Sequence, residues 1–304
     1  MTEGVGNLTA GRRPAWPAML ELLKPVTWFP PMWAFLCGVV SAGASPEGRW
    51  HIIVTGLVLA GPLICGTSQA VNDWFDRHVD AINEPRRPIP SGRMPGLWGL
   101  YISIAWTVIS LLVAYALGPW VFAASLLGMA LAWMYSAPPF RLKKNGWWGN
   151  SAVALCYEGV PWLTAVVVMT GFLPDSRQFL IALLYSFGAH GIMTLNDFKS
   201  VQGDQRMGVG SLPVRLGVTR AVWVACAVMV MAQVAVIFAL VIWQQTLYAL
   251  VIAALLAGQL LMMRRLVRRP AELDVWYNAF GVPLYVLGMM VSALALRNLS
   301  VGAG

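Results

Sequence analysis

Long apolar stretches separated by short polar segments dominate this chain. Nine of them, roughly 18–24 residues each, are long enough to cross a bilayer as helices. They lie near 27–44, 52–71, 97–117, 119–136, 150–171, 178–195, 221–243, 246–263 and 276–296. The pattern predicts an all-α integral membrane protein of nine transmembrane helices. It is expected to form a single membrane domain over 1–304, with an N-terminal segment 1–26, a bundle 27–296 and a tail 297–304. The first 26 residues are polar and lack the apolar centre of a cleavable signal peptide.

Composition agrees with the pattern. Apolar residues make up 58% of the chain and charged residues 11%, against about 25% charged in a soluble domain. Mean hydropathy is +0.66. Eighteen of the 21 Lys and Arg fall in the N-terminal segment and alternate loops, leaving Arg49, Arg177 and Arg297 for the other side. This asymmetry places the N-terminus and the basic loops in the cytoplasm. The net charge of +8 is thereby a topology signal, and no basic run interleaved with aromatics points to nucleic acid. Cys37, Cys65, Cys156 and Cys226 all fall inside apolar spans without CxxC spacing, which argues against zinc and structural disulfides. Several of the 15 tryptophans, among them Trp28, Trp50, Trp98, Trp120, Trp147 and Trp148, sit near span ends as interfacial anchors do.

Candidate chemistry is concentrated in two segments. At the end of the second span the chain reads NDWFDRHVDAINEPRRPIPSGR. If this is helical, spacings of three and four residues place Asp73, Asp76 and Asp80 on one face, with His78 on another. Carboxylates at a bilayer edge are costly. The usual compensation is a divalent cation, and hard oxygen ligands favour Mg²⁺. The competing reading is a solvated helix end, which the unfavourable placement of Asp at a helix C-terminus opposes.

About 120 residues later the same kind of apolar run ends in NDFKSVQGDQR. Asp197 and Asp204 are seven apart and can share a face, but Ser200 between them is a poorer ligand and Gly203 is expected to break the helix. Both segments begin with Asn-Asp and continue into Gly/Pro-containing stretches, a weak internal duplication that suggests two related helical units with the substrate site between them. Two facing acidic clusters imply a polyphosphate held between metal ions. Asn72, Arg87, Arg141, Lys143, Asn196 and Lys199 are candidates for its phosphate oxygens, although positive-inside loops carry such cations anyway. Glu158 and His190 are isolated polar residues within spans. His190 reads as a packing residue, and Glu158 equally as cavity lining or helix–helix hydrogen bonding.

In NDWFDRHVDAINEPRRPIPSG, in YSAPP at the end of the fourth span and in GDQRMGVGSLPVRLG after the sixth, the chain resembles the UbiA superfamily of intramembrane prenyltransferases. The resemblance covers essentially the whole chain. The NEP element and FKSVQGD resemble the chlorophyll synthase branch, and His78 with SGRMPGLWGLY leans to its bacteriochlorophyll side. Ser200 stands where many superfamily relatives carry an acid, in agreement with that branch. The resemblance implies that Asp73, Asp76, Asp80, Asp197 and Asp204 hold Mg²⁺ and act catalytically. Asn72, Arg87, Arg141, Lys143, Asn196 and Lys199 would then bind the diphosphate of geranylgeranyl or phytyl diphosphate. It further implies a propionate carboxylate of bacteriochlorophyllide or chlorophyllide as acceptor, an inner (intracytoplasmic) membrane location, and pigment-assembly proteins as partners.

Two other readings stay open at this point. Another superfamily enzyme, prenylating an aromatic ring or a haem, shares the acidic motif and differs in its acceptor pocket. A transporter for an anionic lipid or metal would suit paired helices with a polar site. Against it, the acids lie at span ends and both motifs face one side.

Overall fold

A peptide group in lipid finds no water, so an apolar segment there satisfies its backbone within its own helix. The computed structural model, described over residues 13–301, follows that rule: apart from one isolated bridge pairing Asn145 with Gly210, its regular structure is helical. Arg12, the start of the N-terminal segment and the end of the tail lie outside the described residues.

A short helix α1 (Trp16–Leu22) precedes the apolar helices. These are α2 (Phe29–Ser41), α3 (Trp50–Asn83), α4 (Trp98–Leu117), α5 (Pro119–Ser136), α6 (Gly146–Thr170), α7 (Ser176–Arg206), α8 (Val218–Ile242), α9 (Thr246–Leu266) and α10 (Pro270–Ser300). Eight of them, α3 to α10, are long and apolar enough to cross a membrane. The protein is a multi-pass integral membrane protein. Large apolar side chains such as Leu112, Phe238 and Leu250 are left exposed on the helices, as lipid contact requires.

Three boundaries depart from the hydropathy pattern. The first span, expected over 27–44, is the 13-residue helix α2, about 20 Å long and short of the roughly 30 Å hydrocarbon core. By contrast α3 has 34 residues and α7 has 31, about 50 and 45 Å. Hydropathy falls at residues 71 and 195, but the backbone stays helical past both points, to Asn83 and Arg206. Both acidic motifs therefore ride on helical extensions of the apolar runs. Gly203 does not break its helix; it lies within a helical turn, Val201–Arg206, and the change of pitch comes earlier, in a 3₁₀ turn at Asp197–Ser200.

Two stretches of π-helix interrupt the long helices. One, Leu59–Cys65 in α3, contains Pro62, whose missing N–H a widened turn accommodates. The other, Leu155–Gly159 in α6, carries Glu158.

The chain divides into two compact units. One comprises residues up to Met32 together with Leu57–Arg141, and its core packs Leu22 and Leu23 of the N-terminal segment with Ala70, Met94 and Ile102. The other comprises Trp33–Gly56 and residues from Leu142 onward. At its centre Trp162, Tyr185 and Tyr285 are fully buried. The Tyr285 hydroxyl donates to the Tyr185 carbonyl at 2.8 Å, and the Tyr185 and Ser292 hydroxyls bond at 2.9 Å. Close helix contact is made possible by Gly191 of α7, where a Cβ would meet the Ala225 carbonyl of α8. Gly171 ends α6 in a left-handed turn (φ 76°), its N–H donating to the Val167 carbonyl.

Buried amides tie the last helices together. Gln233 Nε2 of α8 donates to Gln259 Oε1 of α9 at 2.5 Å, and Gln259 Nε2 donates to the Gly281 carbonyl at 3.0 Å. Both glutamines are fully buried. Gln259→Leu leaves the Gln233 amide only the Met229 carbonyl (3.2 Å) and the Gly281 carbonyl only the Leu284 N–H (3.2 Å), so it is expected to cost about 1 kcal/mol. The double variant Gln233→Leu/Gln259→Leu should recover part of that loss. Unfolding of the detergent-solubilised protein checks this, and equal stability of single variant and parent would refute it.

Candidate functional site

The first motif lies entirely within the unit that contains Leu57–Arg141. Asp73 is 1% exposed, and Asp80 is also buried. Carboxylates in such surroundings need cations, and three basic side chains supply them. Lys24 Nζ reaches Asp73 Oδ1 at 2.6 Å, and Arg87 Nη1 reaches the same oxygen at 3.2 Å. The same Arg87 nitrogen meets Asp80 Oδ2 at 2.9 Å, while its Nη2 donates to Glu84 at 3.0 Å. Arg141 stands 3.7 Å from Asp76. The predicted single face holds for Asp73 and Asp80, which one guanidinium bridges. His78 is exposed, away from that pair.

Local structure positions each cation. Lys24 follows α1 in a left-handed conformation (φ 46°, ψ 70°). Leu22 and Leu23 beside it anchor the turn in the core. A two-pronged pair of Arg93 with Glu21, at 2.5 and 2.8 Å, ties the end of α1 to the loop that follows Arg87. That guanidinium holds the Glu21 carboxyl below its ordinary range, so the tether stays charged at neutral pH. Arg141 also has a positive φ, 42°. Two of the three non-glycine residues with positive φ among those described are thus the ones that reach motif acids. Such conformations cost about 1–3 kcal/mol each, and they concentrate where function demands a placement.

One atom in this cluster is unsatisfied. Asp73 Oδ2 is buried and has no hydrogen-bond partner, although Oδ1 of the same carboxylate takes two cations. Among the described residues no three Asp, Glu, His or Cys side chains converge as a ready-made ion cage. The donor set is nonetheless of the right kind for a hard divalent cation: carboxylate oxygens, one of them unclaimed, beside cations that can exchange partners. Asn72, at the head of the motif, donates from Nδ2 to Ser136 Oγ at the end of α5 (3.1 Å).

The second motif lies within the other unit. Asp197 Oδ2 accepts from Asn150 Nδ2 of α6 at 3.0 Å, and the same amide approaches Thr194 Oγ1 at 3.3 Å. Asp204 Oδ2 accepts from Ser211 Oγ at 2.6 Å. The loop carrying Ser211 is fixed by two backbone bonds: Gly146 N–H to the Gly210 carbonyl (2.9 Å) and Gly210 N–H to the Lys144 carbonyl (3.0 Å). A Cβ at Gly146 would collide with this loop's backbone. Asn196 accepts from Asn278 Nδ2 of α10 at 3.1 Å, Lys143 is half-buried in a 3₁₀ turn, and Lys199 is exposed. The 3₁₀ turn between Asp197 and Asp204 gives them separate partners, so simple seven-residue helical spacing does not describe the pair.

In the linear sequence Lys24 is only one more basic residue of the N-terminal segment, and nothing marks Asn150 and Ser211 as partners of Asp197 and Asp204. For Lys24 the signal was weak, a lysine before Pro25 at the end of a short helix. Contact with Asp73, 49 residues away, is a tertiary fact. His190 was expected to be hydrogen-bonded in packing. It packs, stacked on Trp147 with ring centroids 5.6 Å apart, but neither nitrogen has a hydrogen-bond partner.

With this geometry in view, the chain can be set beside known proteins. It is 58% identical over 284 residues to the bacteriochlorophyll synthase 33 kDa chain of Cereibacter sphaeroides, covering 93% of this chain and 94% of that one. The protein of that name from Rhodobacter capsulatus is 52% identical over 300 residues, covering 97% and 99%. A solved UbiA homolog from Archaeoglobus fulgidus, bound to GPP and Mg²⁺, superposes with a TM-score of 0.64 at 19% identity, over 94% of this chain and all of that one. The profile of the UbiA prenyltransferase family matches residues 30–296, so this chain belongs to the UbiA prenyltransferase family.

Proposed function

We propose that this protein transfers a geranylgeranyl or phytyl group from its diphosphate to the propionate carboxylate of bacteriochlorophyllide or chlorophyllide. The observation that carries this reading is its near full-length likeness, at 58% identity, to a bacteriochlorophyll synthase chain. The buried, cation-paired Asp73 supports a site that handles diphosphate.

In this reading Asp73, Asp76 and Asp80, with Asp197 and Asp204, are the oxygen ligands for Mg²⁺. When bound, the ion neutralises diphosphate oxygens as the leaving group gains charge. Lys24 and Arg87 exchange part of their contact with Asp73 for the diphosphate, and Arg141 does the same from Asp76. Asn72, Lys143, Asn196 and Lys199 add further donors. The prenyl C1–O bond breaks with its electron pair leaving on the diphosphate oxygen. An oxygen of the acceptor propionate forms the new C–O bond, giving an ester. That carboxylate is already ionised at neutral pH, so no general base is required. The prenyl chain lies among apolar helices, where each buried CH₂ contributes about 0.8 kcal/mol. The location proposed is the inner (intracytoplasmic) membrane, with the motifs toward the cytoplasm, as the distribution of Lys and Arg suggests.

Purified protein incubated with geranylgeranyl diphosphate, Mg²⁺ and a panel of chlorophyllides should yield esterified pigment by chromatography. Turnover only with an aromatic ring or a haem would replace this acceptor. Chelation of divalent metal should abolish the product, and Mg²⁺ should restore it.

Asp73→Ala and Asp76→Ala should each abolish transfer while the protein still inserts and folds. Lys24→Met should lower kcat/KM by about a hundred-fold, the scale of losing one charged donor to a developing anion, and Lys24→Arg should retain most activity. An unchanged rate in Lys24→Met would remove this lysine from the site. In the second motif, Ser200→Asp should be tolerated better than Asp197→Ala, and equal damage from the two would contradict a ligand role confined to the aspartate.

A further inference from the structure

Lys24 and Arg87 crowd onto one oxygen of Asp73, at 2.6 and 3.2 Å. Like charges that close repel each other, and a single carboxylate oxygen does not fix where each stands. Their backbones are set locally. The Lys24 N–H closes the turn after α1 by donating to the Glu21 carbonyl at 3.2 Å. Arg87 stands in a run of tight turns: its N–H donates to the Glu84 carbonyl (3.0 Å), Ser91 N–H to the Arg87 carbonyl (3.0 Å) and Met94 N–H to the Pro88 carbonyl (2.8 Å). None of these bonds joins one segment to the other.

Arg93 does join them. Its Nη1 and Nη2 donate to the two carboxylate oxygens of Glu21 at 2.5 and 2.8 Å. Nη2 also donates to the Arg86 carbonyl at 2.5 Å, one residue before Arg87, and Nε donates to Ser91 Oγ at 3.1 Å. One planar guanidinium therefore grips both the helix that leads into Lys24 and the peptide that leads into Arg87. A lone exposed ion pair counts for little, but a two-pronged pair with further bonds is the exception. Both ends are seated in the core as well. Leu22 and Leu23 follow Glu21, Met94 follows Arg93, and all three are buried in one apolar cluster. The acid that Arg93 pairs with, Glu21, belongs to neither motif.

We propose that Arg93, acting through Glu21 and the Arg86 carbonyl, is a positioning residue that sets the separation of Lys24 and Arg87 for a diphosphate. This rests on the diphosphate reading above and deepens it. Without Arg93 the two cations move apart under their mutual repulsion, and bringing them back together on an anion costs binding free energy. With it, two positive charges stand at a fixed separation before substrate arrives. Lysine is a poor replacement, because an ammonium lacks the planar pair of donors. Arg93 touches no substrate in this scheme, and its effect falls on the diphosphate head alone.

Calorimetry on the detergent-solubilised full chain tests this without turnover. Inorganic pyrophosphate and geranylgeranyl diphosphate are each titrated with Mg²⁺ present and no acceptor, and chlorophyllide is titrated separately. Arg93→Gln should weaken both diphosphates by about ten-fold, the scale on which partners one step removed from a ligand act, and leave chlorophyllide affinity unchanged. Glu21→Gln keeps the Arg86 and Ser91 contacts and should weaken diphosphate less, with Arg93→Lys in between. In turnover the loss should appear in KM for the prenyl diphosphate and not in KM for the pigment. Unchanged diphosphate affinity in Arg93→Gln, or an equal loss of diphosphate and chlorophyllide affinity, would overturn the assignment. If Arg93→Gln does not fold, Arg93→Lys and Glu21→Gln decide: selective weakening of diphosphate upholds the assignment, and parental affinity in both overturns it. Selective loss of diphosphate affinity in a protein that esterifies no pigment would uphold Arg93 and remove the proposed acceptor. A parent that binds neither diphosphate would overturn both.

Discussion

A carboxylate buried in an apolar helix can persist only if cations come to it, and the first motif is organised around that constraint. Asp73 is almost completely enclosed, and two basic side chains from distant points of the chain converge on one of its oxygens. Breaking such a pair from one side leaves a buried charge uncompensated, which costs about 3–5 kcal/mol. The surrounding structure is arranged to prevent this. Leu22 and Leu23 anchor the segment before Lys24 in the core, the Glu21–Arg93 pair ties that segment to the following loop, and Lys24 itself adopts a left-handed conformation.

That arrangement is compatible with the phosphorylated substrate proposed above. A cation pinned to a buried acid is preorganised and partly desolvated, and an anion placed beside it can take over the contact without assembling a new site. Asp73 leaves its second oxygen without a partner, so hard-ligand capacity and exchangeable positive charge occur in one place. The second motif shows a different solution. Asp197 and Asp204 are held by neutral donors, an amide and a hydroxyl. Neutral donors orient a carboxylate without the direct ion pairs that Asp73 receives.

The helical extensions serve the same end. A helix that continues past the apolar run projects side chains at fixed angles, as a flexible loop cannot. The 3₁₀ turn at Asp197–Ser200 then reorients the second motif without ending the helix. The loop containing Gly210 and Ser211 is pinned to the start of α6 by backbone bonds, so Asp204 is held by a rigid neighbour.

Much of this was legible in the chain itself. Apolar run lengths, the bias of Lys and Arg and the two Asn-Asp motifs determined an all-helical membrane protein with acids at span ends, because burial in lipid imposes local rules that each segment obeys alone. The acids of both motifs stood out by residue type and by their place at span ends, although seven-residue spacing did not describe how Asp197 and Asp204 are held. What the linear pattern left open were quantities set by distant contacts. Helix ends lay beyond the drop in hydropathy because ion pairs, not lipid, sustain the last turns of α3. The first apolar run gave a helix of only 13 residues. Lys24 found Asp73 across 49 residues, and the partners of Asp197 came from α6. His190 was left without a hydrogen bond beside a cavity made by three helices. Such pairings depend on how helices pack, and only the tertiary structure decides which side chains of one helix meet those of another.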